Sequence, residues 1–142
     1  MGWSCSRGDN LLQVIEFNKQ LKSRIIELEN ESTIICKKLE QQYREEFQKL
    51  GAEITVECLR TLKGQLTEQI NVFEEHYESF VEIGIEEDDE YFPNAHIPIW
   101  KCKKEMFQQI GYLTKNSSSA LENKMNCMIQ EILHEKLTEI NP

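Results

Sequence analysis

Apolar residues recur along the first part of the chain as Leu11, Val14, Leu21, Ile25, Leu28, Ile35 and Leu39, with Asn18 and Ser32 standing in two positions of the same series. The mean step is 3.5 residues, the heptad period that winds helices into a left-handed coiled coil. The series continues through Tyr43, Phe47, Leu50, Ile54, Cys58, Leu62, Leu66, Ile70, Phe73, Tyr77 and Phe80, now at a mean step near 3.67. That is the spacing of an eleven-residue repeat and of a straighter helix. Gly51 and Gly64 lie inside the series, and each costs about 1 kcal/mol relative to Ala in a helix interior. Neither has a Pro, Asn or Asp beside it to build a turn, so the pattern predicts one coiled-coil helix over residues 10–83, behind a flexible N-terminus of residues 1–9. The alternative is a turn at Leu50 and Gly51, which would give a compact antiparallel helical bundle.

A single helix of that length would be a rod of about 110 Å, and nothing else in the chain is long enough to cover its stripe. The expected partner is therefore another helix, from a second copy or a heterologous chain. Its interface would be Leu11, Val14, Leu21, Ile25, Leu28, Ile35, Leu39, Phe47, Leu50, Ile54, Leu62, Leu66, Ile70, Phe73 and Phe80. Asn18 and Ser32 would fix register and partner number at a cost in stability.

Residues 84–98, GIEEDDEYFPNAHIP, combine five consecutive acids with two prolines and read as an acidic loop. The remainder, 99–140, reads as a helical hairpin. Its first helix runs to about Thr114, carrying Trp100, Met106, Phe107, Ile110 and Leu113. The second is opened by a capping box at Ser119 and Glu122 and carries Leu121, Met125, Met128 and Ile132 on one face. The expected fold class is all-α.

Charge sharpens this picture. The chain has 25 acidic and 16 basic residues, a formal charge of −9. Residues 51–92 alone hold 12 acids against 2 bases, so the excess is local. A phosphate-tracking groove needs clustered Lys or Arg, and an anionic leaflet repels acidic surface. Nucleic acid is therefore not an expected partner, and membrane is expected only through a lipid anchor. Met1-Gly2-Trp3-Ser4-Cys5-Ser6 matches the acylation pattern, with Gly2 as myristoylation site and Cys5 as site for a second chain. The bulky Trp3 argues against it.

Little else points to chemistry. Cys5, Cys36, Cys58, Cys102 and Cys127 form no CxxC pair, and their odd number suits a reducing, cytoplasmic (or nuclear) setting. Cys36, Cys58 and Cys127 read as small core residues. Cys102 stands among Lys101, Lys103 and Lys104, which would favour its thiolate and make it a reactive thiol. His76, His96 and His134 are far apart, and Glu131 with His134 is a single helical carboxylate and imidazole pair where a di-metal bundle needs two. The acids at 86–90 lack the alternation and Gly of a calcium loop. No nucleotide or zinc-protease motif occurs, so no catalytic residue, metal or cofactor is expected. Tyr91, Phe92, Ile97 and Trp100, an apolar cluster within a loop, are the candidate docking point. The expected function is a non-enzymatic coiled-coil subunit or adaptor that mediates protein–protein interaction in an intracellular complex. The alternatives are a peripheral membrane adaptor acylated at Gly2 and Cys5, and a compact bundle with a ligand or an enzymatic activity.

Overall fold

The computed structural model describes residues 10–140. It comprises β1 (Leu11–Val14), α1 (Lys19–Gln48), β2 (Glu53–Leu62), β3 (Gln65–Leu66), a single 3₁₀ turn (Gln69–Asn71), β4 (Tyr77–Glu87), β5 (Glu90–Glu105), β6 (Gln108–Thr114) and α2 (Ser118–Ile140). The six strands make one antiparallel sheet in the order β1-β6-β5-β4-β2-β3. The fold is therefore α+β, which overturns the all-α expectation in both of its forms, the coiled-coil rod and the antiparallel helical bundle.

The stripe is real as far as Phe47, but its cover is the chain's own sheet. Ile25, Leu28, Ser32, Ile35, Leu39, Tyr43 and Phe47 are all buried, and α1 lies against β2, β4 and β5. The helix starts later than expected because Asn18 is its N-cap, the side-chain oxygen accepting from the Leu21 N–H at 2.9 Å. Asn18 is thus no seam residue. Leu11 and Val14 belong to β1, with Leu11 opposite Thr114 and Val14 opposite Gly111.

Helix α1 stops at Gly51, whose φ is +76°. The Ala52 N–H donates to Phe47 O and the Gly51 N–H to Gln48 O, both at 3.0 Å. This is the Schellman closure that a left-handed glycine permits. Leu50 lies in that turn, and beyond it the stripe changes meaning. Ile54, Cys58, Leu62 and Leu66 are four residues apart, and a step of four is one turn of helix but also two periods of strand. Ile54 and Leu62 stand in β2, Leu66 in β3, Ile70 in the 3₁₀ turn, Phe73 in the loop after it and Phe80 in β4. None of them joins a helix seam.

The acidic loop of 84–98 is also overturned, being the β4–β5 hairpin. Asp88 and Asp89 make its two-residue turn with φ of +53° and +64°, the left-handed pair a tight hairpin requires. Its prolines are absorbed by irregularity. Register shifts fall between the pairs Ser79/Trp100 and Phe80/Pro98, and between Ile83/Ala95 and Gly84/Pro93. Each proline thus stands beside a bulge, where a missing N–H disturbs the ladder least. The expected helix after Pro98 is the continuation of β5 and then β6.

Helix α2 forms where its stripe places it, with Leu121, Met125, Met128, Ile129 and Ile132 buried. Its first turn is capped by Ser117, whose Oγ accepts from the Ala120 N–H at 3.2 Å. Glu122 of the expected capping box is instead paired with Lys38 of α1 at 2.6 Å. Further polar links between the helices and from helix to sheet are Tyr43 to Asn126 and Lys136 to Glu87. Both helices therefore cover the same side of the sheet. No helix among the described residues is long and apolar enough to cross a membrane.

Candidate functional site: an exposed hairpin arm

The most polar part of the interior lies between α1 and the sheet. Glu29 is completely buried, and a bare carboxylate there would be costly. Three donors answer it: Arg60 Nε at 2.8 Å and Gln69 Nε2 at 3.2 Å on Oε1, and Tyr77 Oη at 2.7 Å on Oε2. Burial first, and then the Glu29 carboxylate, pushes the Tyr77 phenol far above its ordinary value. Tyr77 therefore keeps its proton and donates. Gln69 also bonds Asn30 at 2.8 Å, which ties the 3₁₀ turn to α1. With every carboxylate oxygen engaged from within the fold, this centre is a staple of helix to sheet.

The thiols are built for inertness. Cys36 is buried, and burial, then Cys58 and nearby glutamates, pushes it up to about 12. Burial likewise drives Cys58 up to about 11. Cys102, expected to be activated by its lysine neighbours, has its side chain buried, on the opposite side of the strand from Lys101 and Lys103. Its thiol is pushed up to about 11 by burial, with Glu75 and Glu74 adding to the rise and a bond from Gln109 opposing it. The alternation of a strand explains the difference: Lys101 and Lys103 fall on the other side of the sheet from Cys102.

Among the described residues no metal centre is assembled. His134 is exposed and Glu131 half-buried on α2. The cleft of about 380 Å³ at the acidic end of the sheet is lined by Glu53, Glu86, Glu87, Asp88 and Asp89. Even so, no three His, Cys, Asp or Glu side chains converge as ligands among the described residues.

The expected docking cluster is dispersed. Trp100 and Ile97 are buried in the core. The Trp100 indole donates to Val72 O at 2.7 Å and packs near Phe17 and Phe73. Tyr91 and Phe92 are the exposed members, on opposite sides of β5. Tyr91 lies over Gly84 and donates to Glu82 at 2.8 Å. Gly2 and Cys5, the expected acylation sites, lie outside the described residues.

What the sequence reading missed is the β5–β6 hairpin. β5 pairs with β4 only as far as Lys101 opposite Glu78, and β1 reaches only Gly111 on β6. Residues 103–108 therefore extend as a two-stranded arm, anchored at its base where the Gln109 amide donates to Phe73 O and Ile110 is buried. At its tip Met106 and Phe107 are 95% and 98% exposed, with φ of +48° and +67°. Among the described residues two other such two-residue turns occur, at Lys63-Gly64 and Asp88-Asp89, and Gly64, Asp88 and Asp89, unlike Lys63, are of types suited to left-handed backbone. Met and Phe are not suited, and holding them there costs about 1–3 kcal/mol each. They also contribute no burial in return. The signal in the sequence was the alternation on either side, Trp100, Cys102 and then Ile110, Tyr112, but without Asn-Gly at the turn it carries no hairpin mark.

No family model, curated protein or solved structure matches the chain.

Proposed function

We propose that this protein is a non-enzymatic interaction module that docks a partner protein through the tip of its β5–β6 arm. The observation that carries this reading is the pair Met106 and Phe107, almost wholly exposed on strained backbone. A fold gains nothing from two large apolar side chains in solvent, whereas Met and Phe are enriched where interfaces are buried. A few such anchors supply most of an interface's energy. The reading is supported further by the polar groups, since the buried carboxylate is fully engaged and the thiols are held neutral.

A protein pocket suits the arm better than an anionic bilayer. Lys103 and Lys104 stand near the tip, but so do Glu105 on the arm and Glu74 and Glu75 at its base, leaving no local excess of positive charge. The partner surface expected is an apolar pocket with mixed charge at its rim.

The test is the double substitution Met106→Asn with Phe107→Gly, which installs the pair this turn geometry prefers. A photocrosslinker in place of Phe107 identifies the partner, and its affinity for wild type and variant is then measured with purified proteins. The variant should melt several degrees higher and bind at least tenfold more weakly. Undiminished affinity would remove the arm from the function, and binding to anionic vesicles in place of any protein would reassign it to a membrane surface.

A further inference from the structure

β2 is ten residues long, yet β3 lies beside only its Thr61 and Leu62. Along residues 53–60 the outer edge of β2 has no strand beside it among the described residues. Two bonds show which groups point outward there. The Val56 N–H donates to Glu40 Oε2 at 3.0 Å, and Arg60 O accepts from the Thr67 N–H at 3.0 Å. In an antiparallel sheet the N–H and C=O of one residue point to the same edge, and those of the next residue to the other. Ile54 and Cys58 therefore present both groups outward as well, and no main-chain bond among the described residues answers them. β2 also lacks the devices that blunt an edge. It holds no proline, and its pairing with β4 runs from Glu53 to Leu62 without a register shift. An edge of this kind is a template for a further strand. The Glu40 carboxylate stands where that strand's carbonyl oxygen would be.

Charge defines the strand that fits. The helix side of β2 carries Ile54, Val56 and Arg60, so Glu53, Thr55, Glu57 and Leu59 face the helix-free side. There Glu53 stands directly opposite Glu86, and Glu57 directly opposite Glu82. Like charges so placed in a sheet are destabilising. The fold alone thus holds two unfavourable pairs beside its open edge. Lys101 and Lys103, on the same side, belong to β5, two strands away, and Lys101 is opposite Glu78. At about 10 Å across the sheet and screened by salt, they answer Glu53 and Glu57 weakly.

We propose that an extended basic segment of a partner protein adds to β2 as a seventh strand. Its main chain completes the ladder at Ile54, Val56 and Cys58, and Glu40 gives up the Val56 N–H and keeps Arg44, whose guanidinium lies 3.7 Å from its other oxygen. Every second side chain of the segment falls on the helix-free side, beside Glu53 and Glu57, and is Lys or Arg. The side chains between them fall on the helix side, where Ile34 of α1 is exposed on the wall of a cleft of about 570 Å³, and are apolar. This is strand addition, in which the main chain supplies affinity and alternate side chains supply specificity. A second copy fits the edge less well. β2 laid on β2 brings Glu53 and Glu57 beside further glutamates, and β1, Leu-Leu-Gln-Val, carries no cation. The site is also independent of the arm, since β5 and β4 separate β6 from β2.

The probe is a capped peptide alternating Lys and Val over about eight residues, enough to span the bare edge at ~3.4 Å per residue. Added to the full chain, it should bind with micromolar affinity by calorimetry and slow the exchange of the Ile54 and Cys58 amides at least tenfold. The same peptide N-methylated on its valines keeps every charge but loses the N–H groups that face β2, and should bind at least tenfold more weakly. Glu53→Lys combined with Glu57→Lys should cost binding by the same factor, while the variant, relieved of its like-charge pairs, melts no lower than wild type. The Met106→Asn and Phe107→Gly variant should bind the peptide unchanged, which separates this test from that of the arm. Equal binding of the N-methylated peptide would reduce the interaction to surface charge and overturn the strand. A bound peptide that leaves the Ile54 and Cys58 amides unprotected, or undiminished binding to the Glu53 and Glu57 variant, would place it elsewhere and overturn the site. Protection of those amides that rises with protein concentration alone would give the edge to a second copy, against the proposal.

Discussion

Trp100 occupies the space that a side chain at Gly111 would need. A β-carbon built on Gly111 falls inside the indole ring, and the ring is fixed there by its bond to Val72 O. β5 and β6 can pair at this point only because β6 carries a glycine. Gly111→Ala should therefore displace Trp100 and destabilise the fold by about 2–4 kcal/mol, on the scale of other overpacked or lost large core contacts. Urea unfolding followed by tryptophan fluorescence measures both the loss and the indole's exposure.

The Glu29 centre makes an asymmetric prediction. Glu29→Ala leaves Arg60 and Tyr77 without their acceptor inside the fold, at a cost of about 3–5 kcal/mol. Tyr77→Phe removes one neutral donor and should cost about 1–3 kcal/mol. Their double variant should be less destabilised than the sum, because the two share one carboxylate. Additive losses would show that the two groups act separately.

Ser32 and Ser79 are fully buried, and their hydroxyls have no hydrogen-bond partner. Ser32 occupies the seam position that a coiled-coil reading assigns to partner selection, yet it faces the protein's own core. Ser32→Ala removes an unanswered polar group and should stabilise the protein by about 1 kcal/mol, raising the urea midpoint at unchanged slope. A loss of stability would mean that the hydroxyl has a partner in solution.

The buried thiols predict an alkaline instability. In the unfolded chain a thiol ionises near its ordinary value of 9.0, whereas in the fold Cys36 and Cys58 hold their protons to about 12 and about 11. Across pH 9 to 12 the unfolded state thus binds fewer protons than the native one, and stability falls as pH rises. Below pH 9 these groups contribute no slope. Replacing Cys36 and Cys58 by Ala should flatten the decline above pH 9 in a denaturation series, with little effect on the shape of the curve at neutral pH.

What could be read from the sequence divides at Gly51. Up to Phe47 the apolar positions are the buried ones, because a helix shows the same stripe whether a sheet or another helix covers it. Ile54, Cys58 and Leu62 deceive through their spacing of four, which suits both periods. The β-branched and alternating composition of EITVECLRTL and YESFVEIGIEE was the better witness there. Pro93 and Pro98 misled because each is accommodated by a bulge, which only the pairing reveals. Met106 and Phe107 were visible as apolar residues, but their exposure depends on how far β4 and β1 extend beside the arm. No local pattern holds that information.

The pairing of β1 with β6 joins the beginning of the described chain to the last strand before α2, down to the bond from Lys115 N to Asn10 O. During synthesis, α1 leaves the ribosome before any of the three strands that cover it, and β1 must wait for a partner made about a hundred residues later. The newly made helix therefore spends most of translation with Ile25, Leu28, Leu39 and Phe47 bare. A nascent chain halted before Gln108 is a natural client for a chaperone, and one extended past Ile140 is not.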